Sequence, residues 1–369
     1  MERDSDKVKR YTRIKHTVAI IDIVFMIVLL VLFQISGLSS GLRSLIARSF
    51  NNQPLLILIY SFVLINGYFV INIPLSFYNS YVVEHRFGLS NQSAKAWFSD
   101  YFKAGFLSVA LFIILIEAFA YFLRSYPADW WWMCSVFWVI LSVIIARLFP
   151  VIVIPLFYKY KRIENEEMRR RILDLSAKMG IKVLDIFQID MSSKTEKANA
   201  GLVGLGRTKR VVLGDTLEGK FSPEEIEVIL AHEFAHFRLR HLVKIIVLNA
   251  ALIFLVFYIF FRFGHIVFDP LGVRMSDIAG LPLWILLFTV WQIALTPMLN
   301  WISRGMERNA DKMALAFTGK KDEFISMMEK LAEQNLSERK PPLWIKIFFY
   351  DHPPVEERVA CAREFEGKQ

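Results

Sequence analysis

Apolar residues gather into six long runs separated by polar stretches of unequal length. The runs lie near Thr17–Ser36, Leu55–Tyr78, Ala104–Leu123, Trp131–Leu156, Ile245–Phe261 and Leu281–Trp301. Each approaches or exceeds the roughly 20 residues a helix needs to cross a bilayer. The pattern predicts a mainly α, polytopic membrane protein with about six transmembrane helices. Four of them fill 1–157, an N-terminal membrane bundle, and two more fill 245–302. The segments 158–244 and 303–369 carry the mixed patterning of a water-exposed α+β domain, interrupted by the last two spans. The first run is too long for a cleavable leader and lacks a small-x-small exit, so it is expected to remain as an anchor.

Within 158–244, Glu164–Met179 reads as a helix stopped by Gly180. Val183–Asp190 reads as a strand. Ala198–Leu205 and Arg210–Leu213 read as a hairpin around Gly206-Arg-Thr-Lys. Ser222-Pro-Glu-Glu then opens a helix: Ser222 caps it, Pro223 suits its first turn and Glu225 completes a capping box. That helix is expected to run on toward the fifth span. The segment after the sixth span reads as largely helical.

Composition agrees. The chain is 55% hydrophobic and 21% charged, with mean hydropathy +0.40, above the range of soluble globular proteins. Its net charge of +9 is unevenly placed. Arg3, Lys7, Lys9, Arg10, Arg13 and Lys15 precede the first span, and Lys159, Lys161, Arg162, Arg169, Arg170 and Arg171 follow the fourth. By the positive-inside tendency, both termini and the polar domain are expected on the cytoplasmic face. The residues do not separate a bacterial inner membrane from an endoplasmic reticulum. No aromatic residues interleave with the basic ones in a groove-like pattern. The charge therefore points to membrane lipids rather than nucleic acid. Cys134 and Cys361 fit neither a disulfide framework nor a metal motif, and are expected to be free thiols.

The candidate chemistry begins at His232-Glu-Phe-Ala-His236, about one turn ahead of the fifth span. Histidines four apart on a helix project from one face and can hold one metal ion, with Glu233 placed to take a proton from water. A catalytic site needs a third protein ligand. Glu307 is the candidate, because two crossings separate it from His236 and return the chain to the same side. Asp311, one turn further, is placed to accept the free N–H of a ligating histidine. Alone, Glu307 would read as a surface carboxylate beside the membrane; the paired histidines change that reading. His241 is expected to point elsewhere on the helix, within an interfacial belt of Arg238, Arg240 and Lys244.

The H-E-x-x-H motif, the later Glu307-x-x-x-Asp311 and the span-rich first half together resemble the type I CAAX prenyl endopeptidases. These are integral-membrane zinc metalloproteases related to HtpX-like quality-control proteases. Three further segments resemble that family: Tyr81–Gln92; Asn199-Ala200-Gly201 with Lys209–Leu217; and Asp351-His-Pro-Pro-Val-Glu-Glu-Arg358. The resemblance runs from about Leu55 onward. It implies a zincin-like domain with one Zn2+ per chain and a peptide or protein substrate with a prenylated or hydrophobic end. It also implies substrate contact at Asn199 and Ala200, and catalytic roles for His352 and Arg358 at the developing oxyanion. Gly201 departs from the aromatic found there in eukaryotic members. Two other readings stay open at this point: an HtpX-like protease of misfolded membrane proteins, and a zinc-binding transporter or scaffold. For the last, Asp22, Asn66, Asn72, Glu117, Gln34 and Gln292 are the intramembrane polar residues.

Overall fold

The computed structural model describes residues 2–204 and 209–366. Among them, six helices are long and apolar enough to cross a membrane: Asp6–Ile35, Gln53–Ile71, Ala94–Ser125, Trp130–Phe157, His241–Phe263 and Ile278–Thr318. Each expected run overlaps one of these helices, although the boundaries move. The second span ends at Ile71 rather than Tyr78, and a short helix restarts at Ile73–Phe77. Pro74 supplies no N–H to continue the backbone ladder there. The third span begins at Ala94 rather than Ala104, because the Ser93 side chain accepts from Ala96 N and nucleates the helix early. Large apolar side chains cover the outside of the bundle, with Phe106 as much as 75% exposed. Lipid rather than water is the solvent such a surface requires.

Aromatic packing closes one end of the bundle. Phe119, Trp130, Phe257 and Trp284 meet there, with Phe119 and Trp284 edge to face at 5.0 Å.

The sixth span belongs to a helix, Leu281–Thr318, of 38 residues. At 1.5 Å per residue it is about 57 Å long, well beyond a hydrocarbon core of about 30 Å. Its far end therefore enters the polar domain. There it packs against Pro223–Arg238 and helps form a core with Ile172, Ile186, Val211, Leu230, Phe234, Leu315, Phe324 and Met327. The segments before the fifth span and after the sixth thus share one core.

A four-stranded sheet backs that core, in the order β1-β2-β4-β3. The strands are β1 Tyr160–Arg162, β2 Asp185–Ile189, β3 Ala200–Val203 and β4 Arg210–Gly214. β2 and β4 are parallel, while β1–β2 and β3–β4 are antiparallel. β1 escaped the sequence pattern because three residues, two of them charged, are too few to show a period of two. The expected hairpin is present as β3 and β4, but its turn at Gly206 lies outside the described residues.

The capping box is present at Pro223–Arg238: Glu225 N donates to Ser222 Oγ at 3.2 Å, and Ser222 N donates to Glu225 Oε2 at 2.7 Å. The helix does not run on into the fifth span. It stops at Arg238, and Arg240 takes a left-handed conformation (φ 55°) before a new helix starts at His241.

Candidate metal centre and active site

Three elements meet at the membrane end of the polar domain. Pro223–Arg238 brings His232, Glu233 and His236; the extended sixth helix brings Glu307 and Asp311; the segment before Val355–Arg363 and that helix bring His352 and Arg358. His232 Nε2 and His236 Nε2 lie 3.0 Å apart. Glu307 Oε2 is 3.1 Å from the first, and Glu307 Oε1 is 3.2 Å from the second. All three ligand atoms fall within 4.8 Å of one another.

The donor set suits a divalent cation. Asp311 Oδ1 lies 2.8 Å from His232 Nδ1 and claims the ring hydrogen at that nitrogen. The facing Nε2 is then a lone pair, unable to donate to Glu307. Glu307 Oε2 is accordingly buried without a hydrogen-bond partner. Unpaired carboxylate oxygens in such burial are costly unless a cation answers them. The local field points the same way. Burial opposes a charge on His232, but the adjoining Asp311 and Glu307 carboxylates outweigh it and raise its pKa to about 9. The pocket is built to stabilise positive charge where the imidazoles converge.

Asp311 is itself clamped. Arg358 Nε donates to its Oδ2 at 2.8 Å, and the neighbouring Nη2 donates to Oδ1. The same Nη2 lies 3.4 Å from His232 Nδ1. Arg358 thus stands behind the histidine as well as beside the cavity. His352 Nε2 sits 3.5 Å from Glu307 Oε1, while its Nδ1 meets Asp351 Oδ1 at 2.8 Å. That hydrogen bond, working against burial, holds the His352 pKa above its usual value. Burial pushes the Glu233 carboxyl upward, against the pull of His232 and His236. A carboxyl so placed takes up a proton more readily than an exposed one.

A cavity of about 230 Å³ opens beside these groups, and Ala198, Asn199, Ala200, His232, Glu233, His352 and Arg358 line it. Asn199 precedes strand β3 and Ala200 opens it, and among the described residues β3 pairs with β4 alone. The start of this edge strand therefore borders the same cavity as His232. His232, Glu233, His236, Glu307, Asp311, Asn199, Ala200, His352 and Arg358, the residues expected at a protease site, all lie in this neighbourhood.

One expectation fails. His241 does not point away: its Nδ1 lies 3.1 Å from His236 Nδ1, and the residue is buried. The left-handed Arg240 turns the chain, so helical spacing between 236 and 241 does not apply. Sequence reading also missed Arg304, one turn before Glu307. It is buried, and its Nη1 donates to the carbonyls of Lys346 and Tyr350 at 2.9 and 2.6 Å. Asn300 adds a bond to Ile347 O at 3.0 Å. The sequence shows only an arginine one turn before a candidate ligand; its burial and its carbonyl partners belong to the fold.

Inside the bundle lies a second, mostly apolar cavity of about 1020 Å³. Its lining includes Asn249, Gln292 and Leu242, the residue after His241. Of the intramembrane polar residues, Asp22 accepts from Tyr68 OH at 3.0 Å and Asn66 donates to Phe62 O.

Comparison with known proteins places this geometry. Residues 162–366 match the model of peptidase family M48, and residues 2–159 match the CAAX prenyl protease N-terminal model, described as five membrane helices. Four candidate spans of this chain fall in that second range. The chain is 27% identical to the uncharacterized metalloprotease YhfN of Bacillus subtilis, over 97% of this chain and 85% of that one. It is 28% identical to CAAX prenyl protease 1 of Saccharomyces cerevisiae, over 79% of this chain and 68% of that one. The crystal structure of S. mikatae Ste24p superposes with TM-score 0.86 at 24% identity, covering 98% of this chain and 89% of that chain, and so shares its fold. Taken with the paired histidines and the six spans, these matches establish that the chain belongs to peptidase family M48 and is an integral-membrane metallopeptidase.

Proposed function

We propose that this protein hydrolyses peptide bonds near a prenylated or otherwise hydrophobic end of its substrate, at the cytoplasmic face of its membrane. One zinc ion per chain is held by His232, His236 and Glu307. The observation that carries the reading is the convergence of three candidate ligand atoms, on His232, His236 and Glu307, beside a cavity that His232 lines together with Asn199 and Ala200.

When bound, zinc supplies the Lewis acidity that activates water and polarises the scissile carbonyl. Glu233 takes the water proton and passes it to the leaving amine. Asn199 and Ala200 align the substrate backbone by strand addition, which fixes its direction while tolerating varied side chains. His352 carries a proton toward the oxyanion, and Arg358 contributes positive charge from the cavity wall. Asp311 orients His232. The polar domain, assembled from 158–244 and 303–369, does the chemistry, and the spans at 1–157 and 245–302 present the membrane-bound end of the substrate.

Two observations support the substrate class. Several relatives are named CAAX prenyl protease 1 or its homolog, and the lining of the large apolar cavity includes Leu242, directly after the His241 that touches His236. The basic residues ahead of the first span and after the fourth support the cytoplasmic placement.

The test is cleavage by purified, detergent-solubilised protein of a farnesylated CAAX peptide, the same peptide without its lipid, and unfolded casein, each with and without a chelator. Chelator-sensitive cutting that favours the lipidated peptide is expected. Equal cutting of both peptides, with casein the better substrate, would replace this substrate class with quality control of unfolded membrane proteins.

A further inference from the structure

The role of Tyr81–Gln92, which the reaction above leaves unused, is legible in what it touches. Its distal part zips onto the chain that leads into β3. Glu196 N donates to Leu89 O at 3.1 Å, Thr195 Oγ1 donates to the same carbonyl at 2.9 Å, and Asn91 N donates to Lys194 O at 3.1 Å. Its proximal part holds Glu84, a buried carboxylate. Tyr11 OH and Lys15 Nζ of the first span helix reach Glu84 Oε1 at 2.9 and 3.0 Å. Lys197 Nζ reaches Oε2 at 2.9 Å and also donates to Tyr11 OH at 2.9 Å. Lys197 lies two residues before Asn199.

The two lysines are partly exposed while Glu84 is buried, so the pairing contributes little net stability, yet losing Lys197 leaves a buried carboxylate with one cation fewer to answer it. Burial works against the Glu84 charge, yet hydrogen bonds from Lys197 and Lys15 outweigh it and hold the carboxyl below its ordinary range. It stays ionised at neutral pH. The strand that follows Lys197 needs such support: β3 is four residues long and, among the described residues, pairs with β4 alone. A short edge strand frays unless tied down, and a frayed edge must be ordered by each substrate at a cost in affinity.

We infer that Glu84 is a positioning residue for the peptide-binding edge, acting through Lys197 to fix where Asn199 and Ala200 meet the substrate backbone. The inference rests on the strand-addition reading of β3 given above. It also gives the first span helix a share in the site, through Tyr11 and Lys15.

The test uses full-length, zinc-loaded protein carrying Glu233→Gln, so that a fluorescein-labelled, lipid-free peptide binds without being cut. Glu84→Gln, Lys197→Met and their combination are compared by dissociation constant, zinc content and melting temperature. Each single change is expected to weaken binding about five- to tenfold, and the pair no more than the worse single, with zinc content unchanged. With Glu233 intact, the loss should appear in KM and leave kcat within about twofold. Additive losses, or a loss of zinc or kcat with unchanged peptide affinity, would overturn the inference. If Glu84→Gln does not fold, Lys197 carries the test alone: Lys197→Arg should bind like the parent where Lys197→Met does not, and equal affinity of the two would overturn it. A peptide N-methylated along its backbone separates the two readings. Undiminished binding of that peptide to the parent protein removes the strand-addition reading and this inference with it. Weakened binding there, together with normal affinity in Glu84→Gln, removes this inference alone.

Discussion

The Arg304 guanidinium donates to the Tyr350 carbonyl at 2.6 Å, two residues before His352 and one helical turn before Glu307. One helix face therefore sets several parts of the site. Asn300 and Arg304 hold the backbone leading to His352, Glu307 faces the two imidazoles, and Asp311 grips both His232 and Arg358. These positions recur every three or four residues along Leu281–Thr318, so a single rigid rod fixes their spacing.

Replacing Arg304 with Gln should leave zinc content intact while lowering kcat/KM. It removes the donor to two partly buried carbonyls, which costs about 1 kcal/mol of stability, and it loosens His352, where a displacement of about 1 Å can cost about 100-fold in rate. The check is a cycle with His352→Ala. If Arg304 acts through His352, adding Arg304→Gln to that variant should lower activity little further. Multiplied losses in the double variant would separate the two residues.

The parts that sequence reading reached and the parts it missed differ for a physical reason. His232 and His236 are legible because helical spacing alone puts them on one face. Glu307 follows from counting crossings, and the Ser222 cap is local chemistry. Arg304 binds backbone carbonyls more than forty residues away, and no side-chain pattern marks such partners. Glu84 and Lys197 meet across 113 residues (197 − 84), as only the folded chain can arrange. His241 was misplaced because a left-handed arginine, a conformation that favours glycine, broke the helix that spacing arguments assume.

Glu233→Gln tests the base directly. Glutamine keeps the shape of the side chain but cannot accept the water proton. Zinc stoichiometry should stay at its parental value while hydrolysis falls about 100- to 10,000-fold. Metal analysis and single-turnover cleavage of the same preparation separate the two effects. Parental turnover in this variant would assign the proton transfer to another group.

Asp311→Asn should weaken zinc binding about 10- to 100-fold. The carboxylate claims the His232 Nδ1 hydrogen and thereby leaves Nε2 as a lone pair. An amide can present either its oxygen or its nitrogen to that hydrogen, and it no longer neutralises Arg358. Competition against a calibrated chelator measures the change. An unchanged dissociation constant would show that His232 is oriented without Asp311.

The pH dependence of turnover should expose His352. Its pKa is held up chiefly by the hydrogen bond to Asp351, and Glu307 and the Asp351 charge pull the same way against burial. The sign follows from which form works. A protonated His352 can donate to an oxyanion and a neutral one has lost a proton to give, so its contribution is full at low pH and is lost as pH rises through its folded pKa. Asp351→Asn removes the charged partner and lowers that pKa, so the alkaline limb of kcat/KM should move to lower pH while the acid limb stays. A bound divalent cation lowers the His352 pKa in parent and variant alike, which leaves the difference between them as the quantity to read. His352→Gln should abolish this limb. If parent and Asp351→Asn share one alkaline limb, or if that limb survives in His352→Gln, His352 does not supply the proton.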